Sequence, residues 1–129
     1  MNFQTFVIYL AAGFFLLYGI AFTIYPGEMA RLVTESEPVG VSALVDFRAT
    51  YGGMTVAVGV MLFYLHSIGQ VRPSLVIVVL VLSCMAITRT IGLYVDGAGN
   101  FLMYAYLVLE IIGSGLGVFA LRAMRDNNH

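Results

Sequence analysis

The chain has 129 residues, 60% hydrophobic and only 10% charged, with a formal charge of −1. Soluble domains average about half apolar and a quarter charged, so an ordinary soluble domain and a disordered chain are both excluded. The pI of about 6.0 leaves no basic footprint for nucleic acid.

A membrane-crossing helix takes about 20 apolar residues, which gives room for four short-looped spans in one domain covering residues 1–129. The first apolar stretch, residues 3–25, carries no charge and stops at Pro26-Gly27. Residues 1–5 lack the basic side chains of a signal peptide, and the apolar run is longer than a signal core, so it reads as a retained span. Residues 26–42 are the longest loop, with Glu28, Glu35 and Glu37 against Arg31. Within it Met29, Leu32 and Val33 are spaced for one short helical turn at a membrane surface. The second span covers residues 43–66 and carries Asp46 and Arg48 near its start. SIGQVRP is a turn, with Arg72 and Pro73 placed to begin the next helix. The third span is residues 74–95, with Arg89 near its end; DGAGN (96–100) is a tight turn. The fourth span is residues 101–121, with Glu110 near its middle and a polar tail behind it. These apolar runs are continuous and do not alternate as barrel strands do. Backbone polar groups in lipid must be satisfied within a helix. The predicted fold is therefore all-α, an integral membrane up-down four-helix bundle.

Much chemistry is missing. All six basic residues are Arg, and Cys84 is the single cysteine, so Schiff-base lysines, disulfides and CxxC redox pairs are ruled out. His66 lies at a predicted helix end and His129 is the last residue, which denies the chain a bis-His haem site at membrane depth. No metal-protease, Ser–His–Asp or dinucleotide motif is present. GSGLG (113–117) has no strand before it and reads as helix packing, not as a phosphate loop. No catalytic residue, metal or nucleic-acid partner is expected. Four spans put both termini on one side, where Arg72, Arg122 and Arg125 outnumber the opposing Arg31. The positive-inside rule then puts both termini in the cytoplasm.

Asp46, Arg48, Arg89 and Glu110 are the charges inside predicted spans. Each costs roughly 2.5–3.5 kcal/mol in the bilayer core on insertion scales, which drives such groups to pair or to face protein. At 1.5 Å per residue, Arg48 and Arg89 lie roughly 8 Å inside the loop-1 end, and Glu110 roughly 14 Å. On a helical wheel Arg48 shares a stripe with Gly52, Thr55 and Gly59, with Tyr51 at its edge. Arg89 shares one with Met85, Gly92 and Asp96, and Glu110 one with Tyr106, Gly113, Ser114 and Gly117. Small residues are what close helix packing in lipid uses; Gly52, Gly53, Gly59, Gly92, Gly113, Ser114 and Gly117 are the expected packing positions. The candidate site is therefore a polar pocket in the non-cytoplasmic half, built from Arg48, Tyr51, Arg89, Glu110, Tyr106 and Asp96. Tyr94 and Tyr104 could also line it, and Phe14, Tyr18, Phe22 and Tyr25 would be its wall. Two competing readings need no ligand: a closed Arg–Glu–Arg network that fixes helix register, and arginines that snorkel to the surface.

The motif Arg48-x-x-Tyr51-Gly52-Gly53, then Gly59, then Arg89-x-x-Gly92-x-x-x-Asp96-Gly97, then Glu110 resembles a family of small bacterial four-helix membrane proteins of unknown function, within the DoxX-like superfamily. The resemblance covers nearly the whole chain and implies an up-down four-helix bundle in the bacterial inner membrane. Some DoxX-like relatives are membrane subunits tied to quinone-linked sulfur oxidation or thiol redox chemistry. The leading expectation is a non-catalytic accessory or ligand-binding protein with a small amphipathic ligand, a partner subunit or a second copy as partner. The alternatives are a membrane subunit of a quinone-linked complex, with quinone or lipid bound, and a proton-coupled transporter using Glu110.

Overall fold

The structure is a computed structural model that describes residues 2–126; Met1 and residues 127–129, His129 among them, lie outside it. Five helices follow one another: α1 (Phe3–Ile24), α2 (Pro26–Thr34), α3 (Val41–Ser67), α4 (Val71–Val95) and α5 (Phe101–Asp126). Four of them, α1, α3, α4 and α5, are long and apolar enough to cross a membrane.

Tyr25 alone separates α1 from α2. Pro26 ends the first helix and opens the second, where its missing N–H is one the helix start leaves unused. Residues 26–34 thus form a nine-residue helix where the sequence suggested a single turn. Its inward face also differs. Pro26, Ala30 and Val33, at i, i+4 and i+7, are buried, while Leu32 is exposed. Asn100 ties this helix to the start of α5. Its Nδ2 donates to the Val33 carbonyl at 3.0 Å, and its Oδ1 accepts from the Met103 N–H at 3.1 Å, a donor it shares with its own backbone carbonyl. The Arg31–Glu37 pair, 3.1 Å apart, is solvent-exposed and contributes about 0–1 kcal/mol.

α3 is not a uniform α-helix. Residues Arg48–Gly53 make a π-helical turn, and the Met54 N–H reaches back five residues to the Ala49 carbonyl. The wider turn weakens the normal ladder, and Thr55 compensates: its hydroxyl donates to the Tyr51 and Gly52 carbonyls. Tight turns join α3 to α4 and α4 to α5, and in them Gly69 (φ +78) and Gly97 (φ +106) take left-handed backbone that a Cβ disfavours.

Two helix pairs are packed most closely. α1 lies against α3 through small residues: a Cβ on Gly59 would come within 2.9 Å of the Ala12 carbonyl, and one on Gly52 within 3.1 Å of the Thr23 nitrogen. α4 lies against α5, with Gly113 facing Leu82 and Gly117 facing Val79. Both contact series run in opposite chain directions. In lipid such contacts are held by close packing, not by removal of apolar surface from water. The buried cluster of Val7, Ile8, Ala12, Phe15, Leu62, Leu75, Val78 and Ala120 joins the two pairs toward the Ser67–Val71 end. At two expected packing positions a Cβ would meet no other helix within 4 Å. Gly53, about 100° from Gly52 on the helix, has only the Arg48 carbonyl near, at 3.9 Å; Gly92 has only Asp96, at 3.7 Å. Ser114 donates within α5 to the Ile111 carbonyl at 3.1 Å.

Candidate functional site

Arg89 and Glu110 project from facing positions of α4 and α5. The Arg89 Nε donates to both carboxylate oxygens of Glu110, at 3.1 and 3.0 Å, and its Nη2 donates to Oε1 at 2.6 Å. Glu110 is 4% exposed, so a buried carboxylate is fully engaged by one guanidinium, the geometry that a buried pair requires. Among the described residues the remaining guanidinium nitrogen, Nη1, meets only the Met103 sulfur at 3.3 Å, a weak acceptor. The ring of Tyr106 lies 5.4 Å from the Arg89 Cζ, a cation–π distance.

This pair closes one end of a cavity of about 210 Å³ between α1, α4 and α5, which Thr55 of α3 also lines. Away from the pair the walls are apolar: Leu10, Phe14 and Phe15 from α1, Val78 and Leu82 from α4, Leu109 and Leu116 from α5. Beside the pair stand Tyr18 and Tyr106, ring centroids 6.2 Å apart and edge to face. Among the described residues neither tyrosine hydroxyl has a hydrogen-bond partner.

A family model described as a domain of unknown function, DUF4345, matches residues 3–121. The chain belongs to the DUF4345 family. The match takes in Arg89, Glu110 and every residue that lines the cavity. No curated protein and no solved structure matches the chain.

Arg48 stands apart from this pair in the DUF4345 chain. It is exposed, and its Nη1 donates to the Thr23 carbonyl near the end of α1. The last carbonyls of a helix have no partner of their own, and a cation there meets the negative end of the helix dipole. The stripe Arg48-Gly52-Gly59 does face a helix, but that helix is α1. Arg48→Ala is therefore expected to cost only about 0.3–1 kcal/mol in a detergent melt, with the cavity unchanged. A loss of several kcal/mol would return Arg48 to the buried network.

The other sequence candidates divide the same way. Phe14 and Tyr18 line the cavity. Tyr51 stacks outside it on Phe22 and Phe47, with centroids 5.2 and 5.1 Å away. Asp96 caps the end of α4 and is exposed, as are Tyr25, Tyr94 and Tyr104. Asp46 is exposed and accepts from Thr50 of its own helix, at 3.4 Å. What sequence reasoning missed is the apolar part of the site. Leu10, Leu82 and Leu109 look like any lipid-facing or core leucine until the helices are assembled.

Proposed function

We propose that this chain is an integral membrane protein whose cavity binds a small amphipathic molecule, and that it performs no chemistry of its own. On this reading it is an up-down bundle of four spans in a bacterial inner membrane, with both termini cytoplasmic. The cavity is the observation that carries the reading: apolar along most of its wall, polar at one end. Sites for small molecules in helical bundles have this make-up, mostly apolar with a few converging polar groups. The orientation is supported by Arg72, Arg122 and Arg125, which line one groove at the far end of α4 and α5. A carboxylate held on both oxygens by Arg89 weighs against a proton-carrying role for Glu110.

The test is to fill the cavity. Ala11→Phe from one wall, and separately Leu82→Phe from another, are expected to remove most of any small molecule that co-purifies with the chain. Mass spectrometry of organic extracts reads the occupancy, and a melt in detergent checks that each variant is folded. Equal occupancy in folded variants and wild type would falsify the proposal.

A second reading is favoured by the unpartnered Tyr18 and Tyr106 hydroxyls beside Arg89. These are the donors a quinone headgroup needs, and they suit a membrane subunit of a quinone-linked complex. Placing the family within the DoxX-like superfamily, some of whose members are membrane subunits of quinone-linked complexes, belongs to the same reading. Quinone in the extract together with a co-purifying redox protein is the expected result; absence of both removes this reading.

A further inference from the structure

We infer that the cavity is entered sideways from lipid, between α1 and α5, and takes a lipid whose headgroup is uncharged and accepts hydrogen bonds. This rests on the reading of the cavity as a binding site and adds which chemistry it accepts and by what route.

The route follows from where the wall is exposed. Two ring contacts between α1 and α5 bracket the cavity, Phe3 with Phe119 at a centroid distance of 5.6 Å and Tyr18 with Tyr106 at 6.2 Å. The two contacts are fifteen residues apart on α1, about 22 Å at 1.5 Å per residue. Between them α1 presents Leu10 and Phe14, and α5 presents Leu109. All three line the cavity, yet Leu10 is 56% exposed, Phe14 42% and Leu109 56%. Residues that are at once cavity wall and outer surface mark an opening. This opening is framed by apolar side chains, at the level of the spans. Water gains nothing in such a passage, since apolar cavities stay dry, whereas an acyl chain does.

The headgroup preference follows from charge. The polar end holds one guanidinium and one carboxylate, already in contact, so its net charge is zero. An anionic head would have to be desolvated without a free counter-charge, and a cationic head would meet the same Arg89. What remains unsatisfied is donor capacity: the Arg89 Nη1, spent only on the Met103 sulfur, and the hydroxyls of Tyr18 and Tyr106. Three donors around a neutral site suit a carbonyl or hydroxyl oxygen on an uncharged lipid.

The experiment titrates the full chain in detergent micelles with two lipids of one chain length, monooleoylglycerol and oleyl sulfate, read by native mass spectrometry. Monooleoylglycerol is expected to bind one to one, about tenfold more tightly than the permanent anion. Glu110→Gln keeps the shape but frees the Arg89 charge, and is expected to reverse that order. Equal or tighter binding of oleyl sulfate to the wild type overturns the neutral headgroup and leaves the cavity reading standing. Failure of both lipids to bind, with unchanged occupancy in folded Ala11→Phe, removes the cavity reading itself. Because the chain has no Trp, Leu109→Trp supplies a single tryptophan at the opening, excited at wavelengths where tyrosine does not absorb. Quenching by a dibrominated phosphatidylcholine in vesicles and not by aqueous acrylamide is expected; dominant acrylamide quenching overturns entry from lipid.

Discussion

Arg89→Ala is expected to destabilise the chain by about 3–5 kcal/mol, and Glu110→Ala by a similar amount. Each leaves the opposite charge buried and alone, and Glu110 is only 4% exposed. The size of that loss is mostly the cost of the orphaned charge, not the worth of the bond. Arg89→Met combined with Glu110→Leu removes both charges while keeping apolar volume, and is expected to recover most of the stability of either single variant. Thermal or denaturant unfolding in detergent measures all three. Single variants within about 1 kcal/mol of wild type would show that the pair is solvated and exchanges partners. If the double variant is stable yet loses its co-purified molecule, the pair serves binding and is dispensable for folding.

Gly19→Ala is the second large effect, at about 1–3 kcal/mol. A Cβ there would stand 2.7 Å from the Val56 nitrogen and 2.8 Å from the Gly52 carbonyl. Both are backbone atoms, so no rotamer change relieves the clash, and α1 must move off α3. Gly19→Leu is expected to abolish the folded state. Gly13→Ala and Gly115→Ala are the controls. A Cβ at either has nothing within 4 Å, so these changes are expected to be neutral or favourable by up to about 1 kcal/mol, through helix propensity. Equal behaviour of Gly19 and Gly13 in the same melt would mean that the α1–α3 contact is looser than described.

The four long helices are legible because length and hydropathy alone mark them. The Arg89–Glu110 contact is legible as well, from opposite signs, similar depth and stripes rich in small residues. What a helical wheel cannot supply is the neighbour. It puts Arg48 on the face of Gly52 and Gly59 and says that this face meets a helix. It does not say that the helix is α1, or that the carbonyl of Thr23 waits at that depth. One signal was available: Pro26 ends α1 at the same membrane end as Arg48, leaving carbonyls without partners. The π turn was hidden for a different reason. RATYGG has no proline, its two glycines are ordinary in an apolar span, and the wider turn is accommodated by contacts with α1 and by Thr55. The stripe of Gly52 and Gly59 keeps to α1 across the turn, whereas Gly53, one residue past Gly52, lies about 100° off that stripe and so leaves the packing face. The nine residues of α2 were masked by their mixed composition, and Ala30, too small to mark a face in the sequence, is fully buried in the fold.

The Arg89–Glu110 contact also has an electrical consequence. A lone charge moved across a membrane exchanges roughly 2.3 kcal/mol with the field per 100 mV. A buried cation and anion held 2.6 Å apart move together, and the work done on one cancels the work done on the other. An energised bilayer can therefore swing through its working range of potential without pushing this site open or shut. If the cavity binds lipid as proposed, its occupancy answers to which lipids are nearby and how they fit, and the state of the membrane as a battery drops out.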